Sequence, residues 1–307
     1  MTGLIACAHA PRTDEPPGPD AQLNALLNED YAFTMQSYPT WASMLGERAY
    51  DTELTDNSPA GITARLKSTR ARLERARSIN AETLTDQGRT NLALLIYELS
   101  ESLRSSTYHR EQIPITQMGG PHTSLPQLGD RLTFTTDKHL SDYLERLKKI
   151  PGYLDQAMKN MKAGLAAHNT PPQIVMAGVV EQLRAQTKAD YKADPTEHPL
   201  FKPYSESSPQ SPLVSATISV IRDEILPAFE RLAAFTEDTY IPGCRKSIGA
   251  SDGPGGIEYY NFRLAHYTTL PLSAQEIHDT GLAEVTRIRQ EMMDTIKRSD
   301  FPKKSEL

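Results

Sequence analysis

The spacing of apolar residues between positions 273 and 296 constrains the fold of this chain more than any other stretch. Apolar or small residues recur there every three or four positions, which places them on one face of a helix. They are Ile277, Gly281, Val285, Ile288, Met292 and Ile296. Ser273 and Glu276 precede them with the S-x-x-E spacing of a capping box. The stretch therefore predicts a long amphipathic helix, and Gly281 on its apolar face would let another backbone approach closely.

The same period recurs along most of the chain after residue 20, and no segment alternates apolar and polar residues as a strand would. Counting the stripes predicts about eight or nine helices. The predicted fold is all-α, a multi-helix bundle or layered helical array with long Pro-rich loops. Residues 112–128 and 191–212 are the two longest of these loops. A long irregular segment inside a compact domain is expected to be functional or to be held against a partner surface.

Prolines and capping residues predict where several helices begin, break or bend. Pro151-Gly152 should interrupt the helical pattern on either side of it. Thr83 or Thr85 should cap the helix that contains Leu92. Thr170 and Pro171 are suited to the N-cap and first positions of a further helix. Pro227 should bend the helix in which it lies.

The N-terminal residues predict a lipid anchor followed by a tether. Leu4-Ile5-Ala6-Cys7 resembles a bacterial lipobox, in which the cysteine becomes the lipidated N-terminus, although only three residues precede it. Residues 8–19 are polar and Pro-rich. We therefore interpret residues 1–20 as a signal remnant and lipoprotein tether with lipidation at Cys7, and residues 21–307 as one helical domain. This places the protein on the periplasmic side of a bacterial cell envelope; otherwise it is cytoplasmic with a frayed N-terminus.

Composition and charge argue against several classes of partner. The 307 residues carry a formal net charge of −6 and no basic cluster with interleaved aromatic residues, so no nucleic-acid partner is predicted. No apolar run approaches the ~20 residues that span a bilayer, so membrane contact would be through the lipid alone. The two cysteines, Cys7 and Cys244, are too few for a disulfide framework or a Cys-based zinc site.

Motifs that carry known chemistries are largely missing. No two of the eight histidines have the i, i+4 spacing of a zinc hydrolase, and no histidine is followed directly by glutamate. His109 and Glu111 are the nearest such pair, and on a helix their side chains would diverge. Neither a G-x-S-x-G elbow nor a phosphate-binding loop is present. An enzyme that uses Cys244 or His266 is a weaker alternative.

One segment is rich in side chains that often line substrate clefts, and it directly precedes the amphipathic helix. Its candidate groove-lining residues are Tyr259, Tyr260, His266, Tyr267, Thr268 and Thr269. Tyrosines at helix ends whose hydroxyls point into water offer an equally simple interpretation.

These segments resemble the N-terminal half of a bacterial family known as domain of unknown function 885. The resemblance is carried by Tyr259-Tyr260, by residues 266–269 and 272–288, by the Pro114–His122 segment, by Asp142–Leu147 and by Thr170-Pro171-Pro172. It implies a mostly helical fold related to zincin metallopeptidases, with a groove between two halves and many lipoprotein members. The family's metal motif, a His-Glu pair followed by Pro-Gly-His-His, lies in the C-terminal half, and no residue here matches it.

The resemblance therefore implies the N-terminal helical portion of a zinc-metallopeptidase-like envelope lipoprotein, apparently truncated at its C-terminus. No cofactor is expected in this chain, since zinc would be bound only by a full-length relative, and no catalytic residue is assigned. The implied partners are a peptide substrate or the missing C-terminal half. The alternative is a non-catalytic, lipid-anchored binding or scaffold protein. If the chain is the N-terminal portion of such a protein, residues 258–293 connect the helical half to the catalytic half. The apolar surface left exposed in this chain should then promote aggregation.

Overall fold

The computed structural model describes residues 18–207 and 212–300, and within them it is helical with two isolated bridges in place of strands. The all-α prediction is confirmed. The helices are α1 (Ala21–Ser37), α2 (Pro39–Met44), α3 (Pro59–Ser78), α4 (Asp86–Ser106), α5 (Pro121–Ser124), α6 (Leu128–Arg131), α7 (Asp137–Leu147), α8 (Ile150–Ala166), α9 (Val179–Arg184), α10 (Ala189–Ala193), α11 (Lys202–Ser207), α12 (Leu213–Val220), α13 (Leu226–Phe235), α14 (Ile241–Gly243), α15 (Gly256–Thr268) and α16 (Ala274–Arg298). The predicted lipidation at Cys7 and most of the tether lie outside the described residues.

The chain divides into two compact units, one up to Lys246 and one from Ser247 onward. The first unit has two apolar cores. The smaller core joins α1, α3 and α4 through leucines that recur at helical spacing, such as Leu92, Leu95 and Leu99 on α4. The larger core is built around α7, α8, α12 and α13. Burial of these side chains, each contributing roughly 1.5–3 kcal/mol, supplies most of the driving force for folding of this unit.

Two buried tyrosines form hydrogen bonds between α7 and the chain around residues 200–204. The Tyr143 hydroxyl donates to the carbonyl of Leu200 at 3.2 Å, and the Tyr204 hydroxyl donates to the carbonyl of Leu140 at 2.8 Å. Burial raises the pKa of Tyr204 to about 12 and raises that of Tyr143 well above its ordinary value, so both stay protonated as hydrogen-bond donors. These reciprocal bonds satisfy polar groups that would otherwise be costly inside an apolar core.

Several predicted helix boundaries are confirmed. Thr85 caps α4 by accepting a hydrogen bond from the Gly88 amide at 3.0 Å. The chain breaks between α7 and α8, and Pro151 occupies the first turn of α8. Ser273 and Glu276 form the expected reciprocal capping box at the start of α16.

Two predictions about segments of the first unit were wrong. Thr170 caps no helix; its Oγ1 instead accepts from the Arg245 amide at 3.0 Å, and the chain continues as a 3₁₀ turn at residues 173–176. Residues 191–207, predicted as part of a loop, contain short helices and 3₁₀ turns. Pro195 and Pro199 each begin such a turn, because a proline needs no amide partner there.

A π turn precedes Pro227, which lies in the first turn of α13; the bend predicted there stays a prediction. Residues 221–225 form a π turn immediately before α13, and Pro227 is the second residue after it. The arrangement repeats fifteen residues later, where residues 236–240 form a second π turn and Pro242 is again the second residue after it. A proline removes one amide donor and crowds the carbonyl four residues earlier, and a π turn relieves both problems.

Candidate functional site

The predicted groove-lining residues lie on α15 and on the turn that follows it. Phe262 is the buried anchor of this helix, whereas Tyr260 and His266 are exposed and Tyr267 is 73% exposed. The His266 ring stacks on Phe262 at 6.3 Å between centroids and meets the edge of Tyr267 at 5.3 Å. The Arg263 guanidinium lies over the Tyr267 ring, 4.4 Å from its centroid. The segment thus forms an exposed aromatic surface, and its role in lining a groove stays a prediction.

The other members of the predicted set have local structural roles. Thr268 Oγ1 donates to the carbonyl of Leu264 at 2.7 Å, and Thr269 adopts a left-handed backbone that ends α15. Tyr259 is partly buried against Phe262. The two threonines therefore terminate the helix, which gives these residues a reason to be present whether or not a ligand binds.

Cys244 is poorly suited to act as a nucleophile. Its side chain is buried, and burial raises the pKa of the thiol to about 11. At neutral pH almost none of it would be the reactive thiolate. The two cations beside it in sequence do not offset this effect.

Within residues 18–207 and 212–300, no three His, Cys, Asp or Glu side chains lie close enough together to hold a metal ion. His109 and Glu111 do meet, with 3.0 Å between Nδ1 and Oε1. The expectation that their side chains diverge was wrong, because His109 has a left-handed backbone and starts a 3₁₀ turn instead of lying inside an α-helix.

A cavity of about 280 Å³ lies where α8 faces the irregular segment after residue 112. Tyr153 and Asn160 line it from one face of α8, and Asn57 lines it from the turn before α3. Asn57 Nδ2 donates to the Tyr153 hydroxyl at 3.1 Å, and Asn160 Nδ2 donates to the Asn57 carbonyl at 2.9 Å. Burial raises the pKa of Tyr153, so its own proton remains available to an acceptor in the cavity. These three side chains thus form a fixed set of neutral hydrogen-bonding groups in the wall, which Glu111 also lines.

The irregular segment that closes this cavity was predicted to be functional or to lie against a partner surface. Pro114, Gly120, Pro121 and Ser124 from it line the cavity. Gly120 has φ of 154°, and a Cβ there would lie 2.6 Å from the carbonyl oxygen of Pro114. The chain can fold back in this way only with glycine at that position.

A larger groove of about 550 Å³ runs between α1, α3 and α4. Phe33, Ile62, Leu66 and Leu99 contribute apolar surface, and hydroxyl and charged side chains contribute the rest. Glu111 lines both the groove and the smaller cavity, so the two adjoin. Arg65 lines the groove and Asn57 lines the cavity, and the Arg65 guanidinium lies 3.5 Å from Asn57 Oδ1.

Sequence reasoning missed these residues. Tyr153 and Asn160 lie two turns apart on one face of α8, but nothing in the sequence links them to Asn57, which belongs to a distant segment. The signal that could have pointed to the cavity was the Gly-Gly-Pro run inside the long irregular segment, since such a run marks a close backbone approach.

None of the helices in the described part of the chain has both the length and the apolar character needed to cross a membrane. No curated protein matches the chain. Among solved structures, one described as that of a "putative lipoprotein from Colwellia psychrerythraea" matches with a TM-score of 0.75 and 18% identity. The match covers 92% of this chain and 51% of the other, so the chain spans about half the length of that protein.

The likeness at 18% identity establishes a shared helical fold. A family model described as "Bacterial protein of unknown function (DUF885)" matches residues 39–306. That range takes in the smaller cavity, the part of the larger groove formed by α3 and α4, and most of the helices of both units, including α15 and α16. The chain therefore belongs to the DUF885 family of bacterial proteins.

Proposed function

We propose that this chain is the N-terminal helical portion of a zinc-metallopeptidase-like envelope lipoprotein. It supplies a wall for a peptide-binding groove, while the metal ligands and the general base come from sequence that these residues do not contain. The lipid is attached at Cys7, and the protein faces the periplasm. Membership in the family and the match to half of the solved relative support the proposal. The absence of a His-Glu pair anywhere in the sequence agrees with it.

The observation that carries the proposal is the exposed apolar face of α16. Leu282, Val285, Ile288 and Met292 are between 45% and 61% exposed, and none of the residues of α16 is buried. A 25-residue amphipathic helix normally hides such a face against another surface. The helix lies at the end of a region that corresponds to half of the solved relative. We therefore assign the remaining half of a full-length family member as the partner that covers it.

Assembly of the two halves tests the proposal. The C-terminal half of a full-length relative close in sequence to this chain would be produced separately and titrated with the chain in a calorimeter. We expect a complex with one zinc ion per pair, and less than stoichiometric zinc on this chain alone. One tightly bound zinc ion per isolated chain would contradict the division of roles, and so would the absence of any complex.

A matched pair of substitutions locates the contact on α16. Val285→Asp places a charge on the apolar face and should weaken the complex at least tenfold. Ala283→Asp places the same charge on the opposite face, at a larger cost in helix propensity than Val285→Asp, and should leave the affinity unchanged. Equal effects of the two substitutions would mean that the complex uses another surface.

The alternative function is that of a lipid-anchored binding or scaffold protein that acts without a catalytic half. The two buried apolar cores and the cavities of the first unit favour it, because that unit has the features of a domain that folds and binds by itself. A ligand that binds this chain with the same affinity before and after addition of the second half would favour this alternative. Ligand binding that requires the second half would favour the first proposal.

A further inference from the structure

The charge of Arg65 is not neutralised by a direct ion pair. Its guanidinium donates to the backbone carbonyl of Asp56 and, at 3.5 Å, to Asn57 Oδ1. The ion pairs found in the described residues do not include Arg65. Arg72, one of the other arginines in the same groove, is bonded instead to Asp30 at 2.8 Å and packs over Phe33. Arg65 is thus a half-buried cation that lines the groove and can donate to a carboxylate there, while its charge also lowers the pKa of the nearby Asp56 carboxylate without forming an ion pair with it.

Near Arg65, Tyr153 offers a hydrogen-bond donor and Glu111 offers hydrogen-bond acceptors. The positive charge of Arg65 lowers the pKa of Tyr153, which opposes the stronger effect of burial and places the two groups within electrostatic reach. Tyr153 offers a hydroxyl proton, and Glu111 offers carboxylate oxygens to both cavities. Glu111 would repel a second negative charge and would accept N–H groups. The site therefore suits a ligand that carries one carboxylate next to N–H donors.

We propose that the junction of the two cavities binds the C-terminal end of a peptide, with the α-carboxylate on Arg65. The preceding main-chain N–H groups face Glu111, and one residue enters the cavity beside Tyr153 and Asn160. The two volumes, about 280 and 550 Å³, are of the size usual for small ligands. The choice of a peptide over other carboxylates rests on the function proposed above. The carboxylate anchor at Arg65 is carried by the structure itself.

Binding of a labelled peptide to the full chain tests this directly. The probe is a hexaalanine peptide with an N-terminal fluorescein, prepared as the free acid and as the C-terminal amide, and followed by fluorescence anisotropy up to 1 mM protein. We expect saturable binding of the free acid and at least tenfold weaker binding of the amide. Equal binding of the two probes, or no saturable binding of the free acid, would overturn the proposal.

Substitutions at the junction test whether the difference in binding between the free acid and the amide arises there. Arg65→Met should weaken free-acid binding at least tenfold and abolish the difference between acid and amide. Arg70→Met, on an exposed part of the same helix outside the groove, should bind like the parent chain. Tyr153→Phe should weaken both probes, which gives a second readout if Arg65→Met loses its cooperative melting transition. Unchanged binding by a folded Arg65→Met or by Tyr153→Phe would place the site elsewhere.

The peptide-binding experiment and the assembly experiment can succeed or fail independently of each other. Peptide binding needs neither zinc nor the second half of the protein, whereas the assembly experiment needs no peptide. A chain that assembles with the second half but does not distinguish acid from amide would retain the proposed function and lose this site. A chain that distinguishes the probes but assembles with nothing would retain the site and favour the stand-alone binding protein.

Discussion

Arg146 on α7 donates a hydrogen bond from Nη2 to Ser43 Oγ at 2.7 Å, although 103 residues separate the two in sequence. The same nitrogen lies 2.8 Å from the carbonyl oxygen of Tyr50. Both side chains are buried, and the Ser43 hydroxyl in turn donates to Asp51 at 2.5 Å. Asp51 is also buried and forms an ion pair with Arg48 at 3.1 Å, and the Arg146 guanidinium adds a second positive charge nearby.

Replacing Arg146 should therefore destabilise the first unit severely. We expect Arg146→Ala to lower the free energy of unfolding by about 3 kcal/mol, because it leaves the acceptor oxygens of Ser43 and Tyr50 without this donor and removes one of the two positive charges near Asp51. Urea unfolding followed by circular dichroism measures the change. Lys138→Ala on the same helix is the control, since that lysine is exposed and its pair with Asp142 should contribute less than about 1 kcal/mol. A similar loss in both variants would contradict the assigned role.

His198 should make the protein sensitive to mild acid. Burial lowers the pKa of its imidazole from 6.5 to about 4, so the folded state resists protonation that the unfolded state accepts. The unfolded chain binds more protons between these values, so stability falls as pH drops from 6.5 towards 4. The full loss is about 3 kcal/mol. Unfolding titrations at pH 7.5 and 5 should show a smaller difference for His198→Asn than for the parent, and equal differences would contradict the assignment.

Cys244 should resist thiol reagents while the chain is folded. In a Cys7→Ser background, we expect dithionitrobenzoate at pH 8 to label Cys244 slowly and at a rate that rises with urea. The same burial predicts a loss of stability as pH increases from 9 to about 11, since the folded state holds the thiol proton longer than the unfolded chain does. Rapid labelling of the native protein would show that the thiol is accessible and would revive the cysteine-based alternative.

Gly120→Ala should destabilise the first unit and distort the smaller cavity. The new methyl group would collide with the carbonyl of Pro114, and the backbone angle disfavours any side chain, so we expect a cost of about 2 kcal/mol. Thermal melting measures it. Gly152→Ala is the matched control, because no atom lies within 4 Å of its Cβ position and the residue is in α8. It should be neutral or slightly stabilising, and a destabilised control would indicate a general intolerance of such changes.

Gly281→Ala should have the opposite effect in the isolated chain. No atom lies within 4 Å of the position that its Cβ would occupy, and the glycine is in the interior of α16. The substitution should favour that helix by up to about 1 kcal/mol and raise the helical signal in circular dichroism. If the second half packs closely over this face, the same change should weaken their complex. A stabilised helix with unchanged affinity would mean that no backbone approaches at Gly281.

Periodicity predicted the all-α fold and the long helices well, because helix formation and burial of a stripe both depend on neighbours three or four residues apart. The capping box at Ser273 and the cap at Thr85 were predicted for the same reason, since each is a local bond. The helix cap predicted at Thr170 is absent because its hydroxyl accepts a hydrogen bond from the amide of Arg245, which is distant in sequence. The expectation for His109 and Glu111 assumed an α-helix, whereas His109 has a left-handed backbone and precedes a 3₁₀ turn.

The candidate sites depend on contacts that no local pattern reports. Arg65 and Glu111 line the same groove because α3 packs against α4, and residues 110–112 follow α4 and contact α8. These contacts form only when the first unit is folded. Arg146 lies within the heavily helical block that was predicted, yet its burial could not be inferred, since an arginine at that spacing is normally exposed. Tyr259 to Thr269 were identified from residue type alone, and the structure supplies only local roles for several of them.

The two π turns determine which face of the following helix each side chain occupies. Each inserts one extra residue into the helical ladder, which rotates the subsequent side chains by about 100° relative to an uninterrupted helix. Loss of one residue from either turn would restore the regular ladder and carry Phe229 or Tyr240 away from the core in which both are buried. It would also leave Pro227 or Pro242 within an ordinary helix, where each blocks a bond. In comparisons among relatives, the length between residues 221 and 242 should therefore vary less than its amino-acid identities do.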